Sequence, residues 1–332
     1  MIFVLAATLV AALAVYTRWR VRKIVERWPP QGAFVDGAGT RLHLVGRDPA
    51  CPPVATIVLV HGASGNQADV AAPLTGPLLE RGYRVFAVDR PGHGYSDRQK
   101  TDASSPAAQA RAIRAALETL GVREAIVVGH SWAGALAANL ALDHADFCRG
   151  AVLLAPVTHP WPRGVRWYYR LAAAPGFGWL FVHTALVPMG LAMMDAAIAG
   201  VFSPKATPVG YGDATGAPLA LRPAVFRANA KDVADLQDFL ELQAPRLGAI
   251  AVPVAIVSGD HDGVVLTERH SYGCLRDIPG ATLKMLPGVG HSPHWADPQA
   301  TLAVIGEVVR RVQQAREIRP DAHVSAPSTS SQ

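Results

Sequence analysis

The sequence predicts an α/β fold with a mostly parallel sheet flanked by helices, a helical insertion and an N-terminal transmembrane helix. Short apolar, β-branched runs alternate with helical segments through most of the chain, which is the pattern of parallel sheets. The alternation stops between residues 157 and 248, and no charged side chain precedes residue 18. Half of the 332 residues are hydrophobic and 17% are charged, so the chain can bury a large core and is not globally disordered.

A hairpin is predicted for residues 34–36 and 41–45, around a Gly-Ala-Gly turn. Six further apolar runs are predicted to be strands: 54–60, 83–88, 125–128, 151–154, 252–257 and 282–286. One helix is expected after Ser105 and Pro106, because Ser is a good N-cap and Pro fits the first helical turn. Others are expected after Ser131 and over residues 298–316. The Pro- and Ser-rich residues 317–332 predict a disordered tail.

The first 19 residues are predicted to be a membrane anchor. A helix over residues 2–19 would be about 27 Å long, close to the roughly 30 Å thickness of the bilayer hydrocarbon. Five basic residues lie between positions 18 and 27, with Trp19 and Trp28 as candidate interface residues, and this pattern places the body in the cytoplasm. A secretory signal cleaved near residues 12–14 and a buried helix of a soluble protein are the alternatives.

The charge distribution argues against a nucleic-acid partner. The first 30 residues carry a net charge of +4, whereas the remaining residues carry only +1. No basic patch for phosphates is therefore expected. The three scattered cysteines include no C-x-x-C pair, so neither a disulfide framework nor a zinc ribbon is expected.

Residues 129–134, Gly-His-Ser-Trp-Ala-Gly, lie where a predicted strand turns into a helix. A nucleophile elbow has this context, because a sharp turn with small neighbours lifts the serine hydroxyl clear of the sheet at the positive end of the next helix. Its usual pattern is G-x-S-x-G, from which Ala133 departs. Ser131 is the candidate nucleophile, and a Gly-rich turn with a capping serine is the alternative.

Two further strand ends carry the partners that a serine nucleophile needs. A base must remove its proton, and an acid must orient that base. Asp262 and His291 each follow a predicted strand, in the chain order that an elbow of this kind requires. Asp260 competes with Asp262, and His294 competes with His291. The His-x-x-His pair has no H-E-x-x-H helix beside it, so no metal site is expected.

A Gly-rich loop, residues 61–65, follows the first run of the predicted parallel sheet. An oxyanion hole needs two preorganised backbone N–H groups. Trp132, directly after the candidate nucleophile, and Ala63, within this loop, are the candidate donors. His61 is expected to hold the loop by hydrogen bonds.

These motifs together resemble the α/β-hydrolase superfamily over residues 33–315. The loop 89–96, Asp-Arg-Pro-Gly-His-Gly-Tyr-Ser, is also typical of that family's cofactor-free hydrolases. The resemblance implies a hydrolase core over residues 33–156 and 249–315, a helical cap over residues 157–248, and no cofactor. In the family's G-D-x-D turn the second aspartate usually faces the histidine, which favours Asp262.

The predicted cap is rich in large apolar side chains. We expect them to form the core of the insertion, with some lining the cleft above Ser131. They include Trp161, Trp167, Trp179, Met189, Met193 and Met194.

The resemblance and the candidate residues predict a serine hydrolase that cleaves a carboxylic ester, thioester or lactone of a small lipophilic substrate through an acyl-enzyme. A cofactor-free perhydrolase or a carbon–carbon bond hydrolase would use the same three residues. A noncatalytic, membrane-bound ligand-binding protein is the alternative from another class. The oligomeric state is left open.

Overall fold

The computed structural model describes residues 1–98, 101–162 and 167–318. The strands are β1 (Ala33–Gly37), β2 (Thr40–Arg47), β3 (Ala55–Val60), β4 (Tyr83–Val88), β5 (Ala125–His130), β6 (Cys148–Leu154), β7 (Val254–Gly259) and β8 (Thr282–Leu286). The helices are α1 (Ile2–Arg27), α2 (Gln67–Glu80), α3 (Pro106–Thr119), α4 (Ala133–Asp143), α5 (Trp167–Ala173), α6 (Phe177–Thr184), α7 (Leu186–Phe202), α8 (Tyr211–Thr215), α9 (Pro223–Gln243), α10 (Thr267–Asp277), α11 (Pro293–Ala296) and α12 (Pro298–Ile318). Two 3₁₀ helices cover Ala217–Leu221 and Ala244–Ala249.

The strands form one sheet in the order β1-β2-β4-β3-β5-β6-β7-β8. The pairs β1–β2 and β2–β4 are antiparallel, and all the other neighbouring pairs are parallel. The carboxyl ends of the parallel strands therefore meet at one edge, where sites assemble in open α/β sheets. This topology confirms the predicted fold class.

Apolar packing covers both faces of the sheet. Every residue of β5 and of β7 is buried, as their continuous apolar sequences predict. Helices α3 and α4 pack on one face through Leu117 and Leu136, and helices α2 and α12 pack on the other through Leu74 and Ile305. The double cover holds the strand ends, and the side chains that follow them, in fixed relative positions.

The predicted strands agree with the observed bounds to within three residues. Helix α3 begins after its N-cap Ser105, as predicted. Sequence analysis did not single out α2, because Pro73 and Pro77 lie inside it and proline usually ends a helix. The capping side chain of Asn66 was the available signal. Helix α12 extends to Ile318, and the rest of the predicted tail lies outside the described residues.

Helices make up the regular structure of the predicted cap, residues 157–248, wherever the structure describes it. Helix α9 packs on the core through Leu236 and Leu240, beside α4. Helices α5, α6 and α7 share a separate small cluster that includes Val182 and Leu186. The cap therefore has an inner layer, formed by α9, that packs on the sheet domain, and an outer layer formed by α5, α6 and α7.

The expectation that the large apolar side chains of the cap form its core is wrong for four of them. Trp167, Trp179, Met189 and Met193 are exposed, whereas Trp161 packs against the main core. Helices α6 and α7 carry apolar side chains on every face, and a pair of helices at the outer layer can bury only one face of each.

Helix α1 continues to Arg27, beyond the predicted end at residue 19, because its second half packs on the cap. The buried Thr17 donates a hydrogen bond from its hydroxyl to the carbonyl of Thr184, at 3.2 Å. Arg27 pairs with Asp213 at 2.7 Å. Among the described helices, α1 is the single helix long and apolar enough to cross a membrane, and signal sequences and some soluble core helices meet the same criterion.

A buried ion pair joins the cap to the core. Arg90, in the loop after β4, and Asp232, on α9, are fully buried, with Nη1 2.9 Å from Oδ2. Arg98 binds the other carboxylate oxygen at 2.7 Å. Arg90 also donates to the carbonyl oxygens of His61 and Gly62. The pair therefore fixes the loop after β3 and the helix α9 as one unit.

We expect Asp232→Ala to lower the free energy of unfolding by about 3–5 kcal/mol, because it leaves the buried Arg90 charge without its partner. Lys231→Ala is the matched control on the same helix. It removes an ion pair with Asp235 whose lysine is largely exposed, and should cost less than about 1 kcal/mol. Chemical denaturation measures both losses, and equal losses would contradict the importance of the buried pair.

His270, on α10, is a buried histidine held in its neutral form. Its Nδ1 accepts hydrogen bonds from the backbone N–H groups of Thr158 and His159, each at 3.2 Å. Burial, followed by the neighbouring His159 and Arg269, lowers the pKa of His270 to about 3. A proton on Nδ1 would break both hydrogen bonds.

Stability should therefore fall as the pH decreases below the ordinary histidine pKa of 6.5. In this range the unfolded chain binds a proton at His270 and the folded chain does not. The free energy of unfolding therefore falls by about 1.4 kcal/mol for each unit by which the pH decreases. We expect His270→Gln, which keeps a hydrogen-bond acceptor, to reduce the pH slope of the unfolding free energy by this amount. Denaturation series between about pH 6 and pH 4 measure the slope. Parallel slopes for the two proteins would refute the assignment.

Candidate active site

The three side chains predicted to act together lie in one chain of hydrogen bonds. His291 Nε2 is 2.9 Å from Ser131 Oγ, and His291 Nδ1 is 2.7 Å from Asp262 Oδ2. Ser131 follows β5, Asp262 follows β7 and His291 follows β8. The parallel topology therefore brings three distant segments to one edge of the sheet. The arrangement places a base beside the hydroxyl and a carboxylate beside the base, as an activated nucleophile requires.

The turn that carries Ser131 is strained and tightly packed. Ser131 has a φ of +53°, in the left-handed region that non-glycine residues rarely adopt. A Cβ at Gly129 would lie 2.4 Å from the carbonyl oxygen of Ala133, and a Cβ at Gly134 would lie 2.5 Å from Pro156. Ala133 is fully buried and its methyl group is accommodated, so the departure from G-x-S-x-G leaves the turn intact.

Asp262, rather than Asp260, faces His291. Its Oδ1 also accepts two backbone N–H groups of the following loop, at 2.8 and 2.9 Å. Burial opposes ionisation of Asp262, but the attraction of His291 and these hydrogen bonds outweigh it and lower the pKa of the carboxyl. Asp260 is exposed and instead accepts the N–H of Gly288 at 2.7 Å, bracing the turn that follows β8.

Two contacts hold the backbone of His291. Its N–H donates to the carbonyl of Val201, near the end of α7, at 2.9 Å. Its carbonyl oxygen lies 3.0 Å from His130 Nε2, which donates to it. Burial lowers the pKa of His130 to about 3, so this ring stays neutral. Sequence analysis did not single out His130, since nothing local indicates a partner 161 residues away.

The candidate oxyanion donors Ala63 and Trp132 lie in the two loops that meet beside Ser131. A Cβ on Gly62 would lie 2.8 Å from the Ser131 Cβ, so the loop after β3 approaches Ser131 closely. Within the described part of the chain, neither the Ala63 nor the Trp132 backbone N–H donates a hydrogen bond. Both N–H groups therefore remain candidate donors to a substrate oxygen.

Side-chain contacts fix both loops. His61 lies within 2.8 Å of the Gly62 carbonyl through Nδ1 and accepts the Arg90 N–H at 3.0 Å through Nε2, which confirms its expected holding role. The guanidinium of Arg90 lies 4.0 Å from the ring centroid of Trp132. The indole Nε1–H of Trp132 donates to the carbonyl of Asp232 at 3.1 Å. The cap-to-core ion pair thus also positions Trp132, the residue that follows Ser131.

A second cluster lies behind the triad. Asp69, His130 and His294 are buried, and each places one potential metal-ligand atom within 4.8 Å of the others. The Tyr211 hydroxyl donates a hydrogen bond to Asp69 at 2.8 Å, and His130 donates one to the His291 carbonyl. Two members of the cluster are therefore already engaged in hydrogen bonds within the protein. The ring centroids of His294 and His130 lie 4.6 Å apart with the ring planes tilted by 58°, and the His294 nitrogens make no hydrogen bond among the described residues. His291 alone of the two candidates contacts Ser131.

The sheet order, the helical insertion and the serine at the β5–α4 turn are the features of the alpha/beta hydrolase fold. The chain belongs to the alpha/beta hydrolase fold family, whose sequence profile matches residues 55–298. Over 237 residues it is 26% identical to a 2-hydroxy-6-oxo-6-phenylhexa-2,4-dienoate hydrolase from Burkholderia cepacia, covering 68% of this chain and 76% of that protein.

Solved structures share the same fold. An enol-lactonase from Burkholderia xenovorans LB400 superposes with a TM-score of 0.68 at 20% identity, covering 84% of this chain and all of that one. A thermophilic esterase from Thermogutta terrifontis superposes with a TM-score of 0.67 at 21% identity, covering 85% and 99%. At these identities the likenesses establish the fold and not the substrate.

We expect Ser131→Ala and His291→Ala each to abolish nearly all turnover of a chromogenic ester, and the double variant to be little worse, because the residues act as a unit. Asp262→Asn should also be severe, since it removes the charge that orients and stabilises the imidazolium. Asp260→Asn, in the same turn, is the matched control and should be milder.

A fluorophosphonate probe should label Ser131, with the adduct located by mass spectrometry and absent from Ser131→Ala. An adduct on another serine, or full esterase activity in Ser131→Ala, would overturn the assignment of the nucleophile. A fatal Asp260→Asn beside a tolerated Asp262→Asn would reassign the acid.

Proposed function

We propose that this chain is a serine hydrolase, anchored by its N-terminal helix, that cleaves a carboxylic ester, thioester or lactone of a lipophilic substrate. The hydrogen-bonded chain from Ser131 through His291 to Asp262 carries the proposal. Membership of the alpha/beta hydrolase family supports hydrolysis as the class of reaction. Burial of Thr17 and Ile24 against the cap supports retention of the helix, and the basic residues after it favour a cytoplasmic body.

In the proposed reaction Ser131 Oγ attacks the substrate carbonyl while His291 Nε2 accepts its proton. Asp262 holds Nδ1–H and stabilises the imidazolium. The N–H groups of Ala63 and Trp132 stabilise the oxyanion of the tetrahedral intermediate. His291 then donates the proton to the leaving group, and the acyl-enzyme forms. A water molecule, deprotonated by His291, releases the acid, and these steps require no cofactor.

A carbon–carbon bond hydrolase is the second candidate. The Burkholderia cepacia relative is named for a 2-hydroxy-6-oxo-dienoate, a ketone acid, and hydrolysis of a ketone breaks a carbon–carbon bond. Ser131 and His291 could serve that reaction as well. Turnover of such a ketone acid faster than of any ester would favour the second candidate.

Activity should rise from acetyl to medium-chain esters. Each buried methylene is worth about 0.8 kcal/mol of potential binding, which corresponds to at most about fourfold in kcat/KM per CH₂. A chain-length series of chromogenic esters measures the profile, with Ser131→Ala as the blank. A flat or falling profile would count against an apolar acyl site.

A further inference from the structure

The outer layer of the cap exposes an unusual group of large apolar side chains. Phe177, Trp179 and Leu180 on α6 are 77%, 54% and 41% exposed, and Met189 and Met193 on α7 are 40% and 58% exposed. Scattered exposed hydrophobics are normal, but several on one helix pair mark an interaction surface. We refer to these five side chains as the α6–α7 face.

The sequence around this face lacks charge. From residue 171 to residue 194 there is no Lys, Arg, Asp or Glu, and His183 is the one titratable side chain. Helices α6 and α7 together have the length and composition of a membrane span, but they are bent by 66° at their junction. A pair bent this sharply suits a position within one leaflet better than a straight crossing.

The docking of α1 fixes where this face lies relative to the N-terminal helix. Residues 2–12 are exposed and project from the body, whereas Leu13, Ala14 and Thr17 begin the side that packs on the cap. The projecting part is about 16 Å long, roughly half of the 30 Å hydrocarbon thickness. A helix that crosses the bilayer must therefore also place its docked turns in the hydrocarbon. Helix α6, on which Thr17 is hydrogen-bonded, then lies at the same depth.

The polar boundary of this region is marked by charge. A cleft of about 430 Å³ between α1 and the cap is lined by three cations, Arg20, Lys23 and Arg27, and by one carboxylate, Glu26, together with apolar residues that include Leu191. The Arg20 Nε is buried and has no hydrogen-bond partner among the described residues. Cations at the end of an apolar helix suit the headgroup layer of a membrane that contains anionic lipid.

We infer that the α6–α7 face enters the lipid bilayer beside α1, so that the cap is itself a membrane-embedded element. The occupant of this face is the acyl region of one leaflet. The inference rests on the proposed membrane anchoring by α1, and it does not depend on the reaction that Ser131 performs.

The test measures the depth of single labels on the full-length protein in vesicles of phosphatidylcholine and phosphatidylglycerol. Cys51→Ser removes the exposed thiol, and Cys148 and Cys274 are buried. An environment-sensitive fluorophore is attached at Phe177→Cys or at Met193→Cys. Quenching by doxyl-labelled phospholipids then reports contact with the acyl chains.

Two further labels serve as references. Leu9→Cys lies on the projecting part of α1 and should be quenched strongly. Val54→Cys is the matched control, because Val54 is an exposed apolar residue (56%) at the opposite edge of the sheet, before β3. We expect the labels at 177 and 193 to be quenched at least half as strongly as the label at 9, and the label at 54 to stay unquenched.

Strong quenching at 9 with none at 177 and 193 would overturn the inference, because the helix would then cross without the cap. An unquenched label at 9 would overturn it as well, together with the membrane anchoring. Hydrolysis of a short, water-soluble ester by the same labelled proteins is measured in parallel, so failure of the proposed reaction is distinguishable from failure of the insertion.

Discussion

The buried ion pair between Arg90 and Asp232 is the constraint on which the geometry of the site depends. Burial lowers the pKa of Arg90 to about 10, opposed by the attraction of Asp232, so the guanidinium is still charged at neutral pH. The Arg90 guanidinium donates hydrogen bonds to the carbonyl oxygens of His61 and Gly62 in the loop after β3. It also packs on one face of the Trp132 ring. An apolar pair could fill the same volume, but it would remove the side-chain donor to the His61 carbonyl and one of the two donors to the Gly62 carbonyl.

The Arg90–Asp232 pair matters because the other features of the site depend on the position of backbone atoms. Ser131 is held at a positive φ, and Gly129 is required where any side chain would collide with the Ala133 carbonyl. The two N–H groups beside Ser131, those of Ala63 and Trp132, lack partners in the described structure. Such donors are useful only if they are fixed before the substrate arrives. The sheet fixes one side of the turn and the cap, through Asp232, fixes the other.

Much of this arrangement was predictable because its signals are local. Ser131, Asp262 and His291 each follow an apolar run directly, and the parallel topology places strand ends together. The choice of Asp262 over Asp260 depended on family resemblance, since both lie in one turn. Asp232 was not predictable, because α9 contains several acidic residues and the partner of this one lies 142 residues away. The exposure of Trp179 was also missed, since an apolar helix can equally be buried in protein.

The hydrogen bond from the His291 N–H to the Val201 carbonyl ties the backbone of His291 to the end of α7. The backbone at Gly290 also lies so close to Ser203 that a Cβ there would be 2.4 Å from its carbonyl oxygen. An outward swing of α7 would therefore pull on the loop that keeps His291 within 2.9 Å of Ser131. The position of α7 and the distance between His291 and Ser131 are therefore coupled through the backbone.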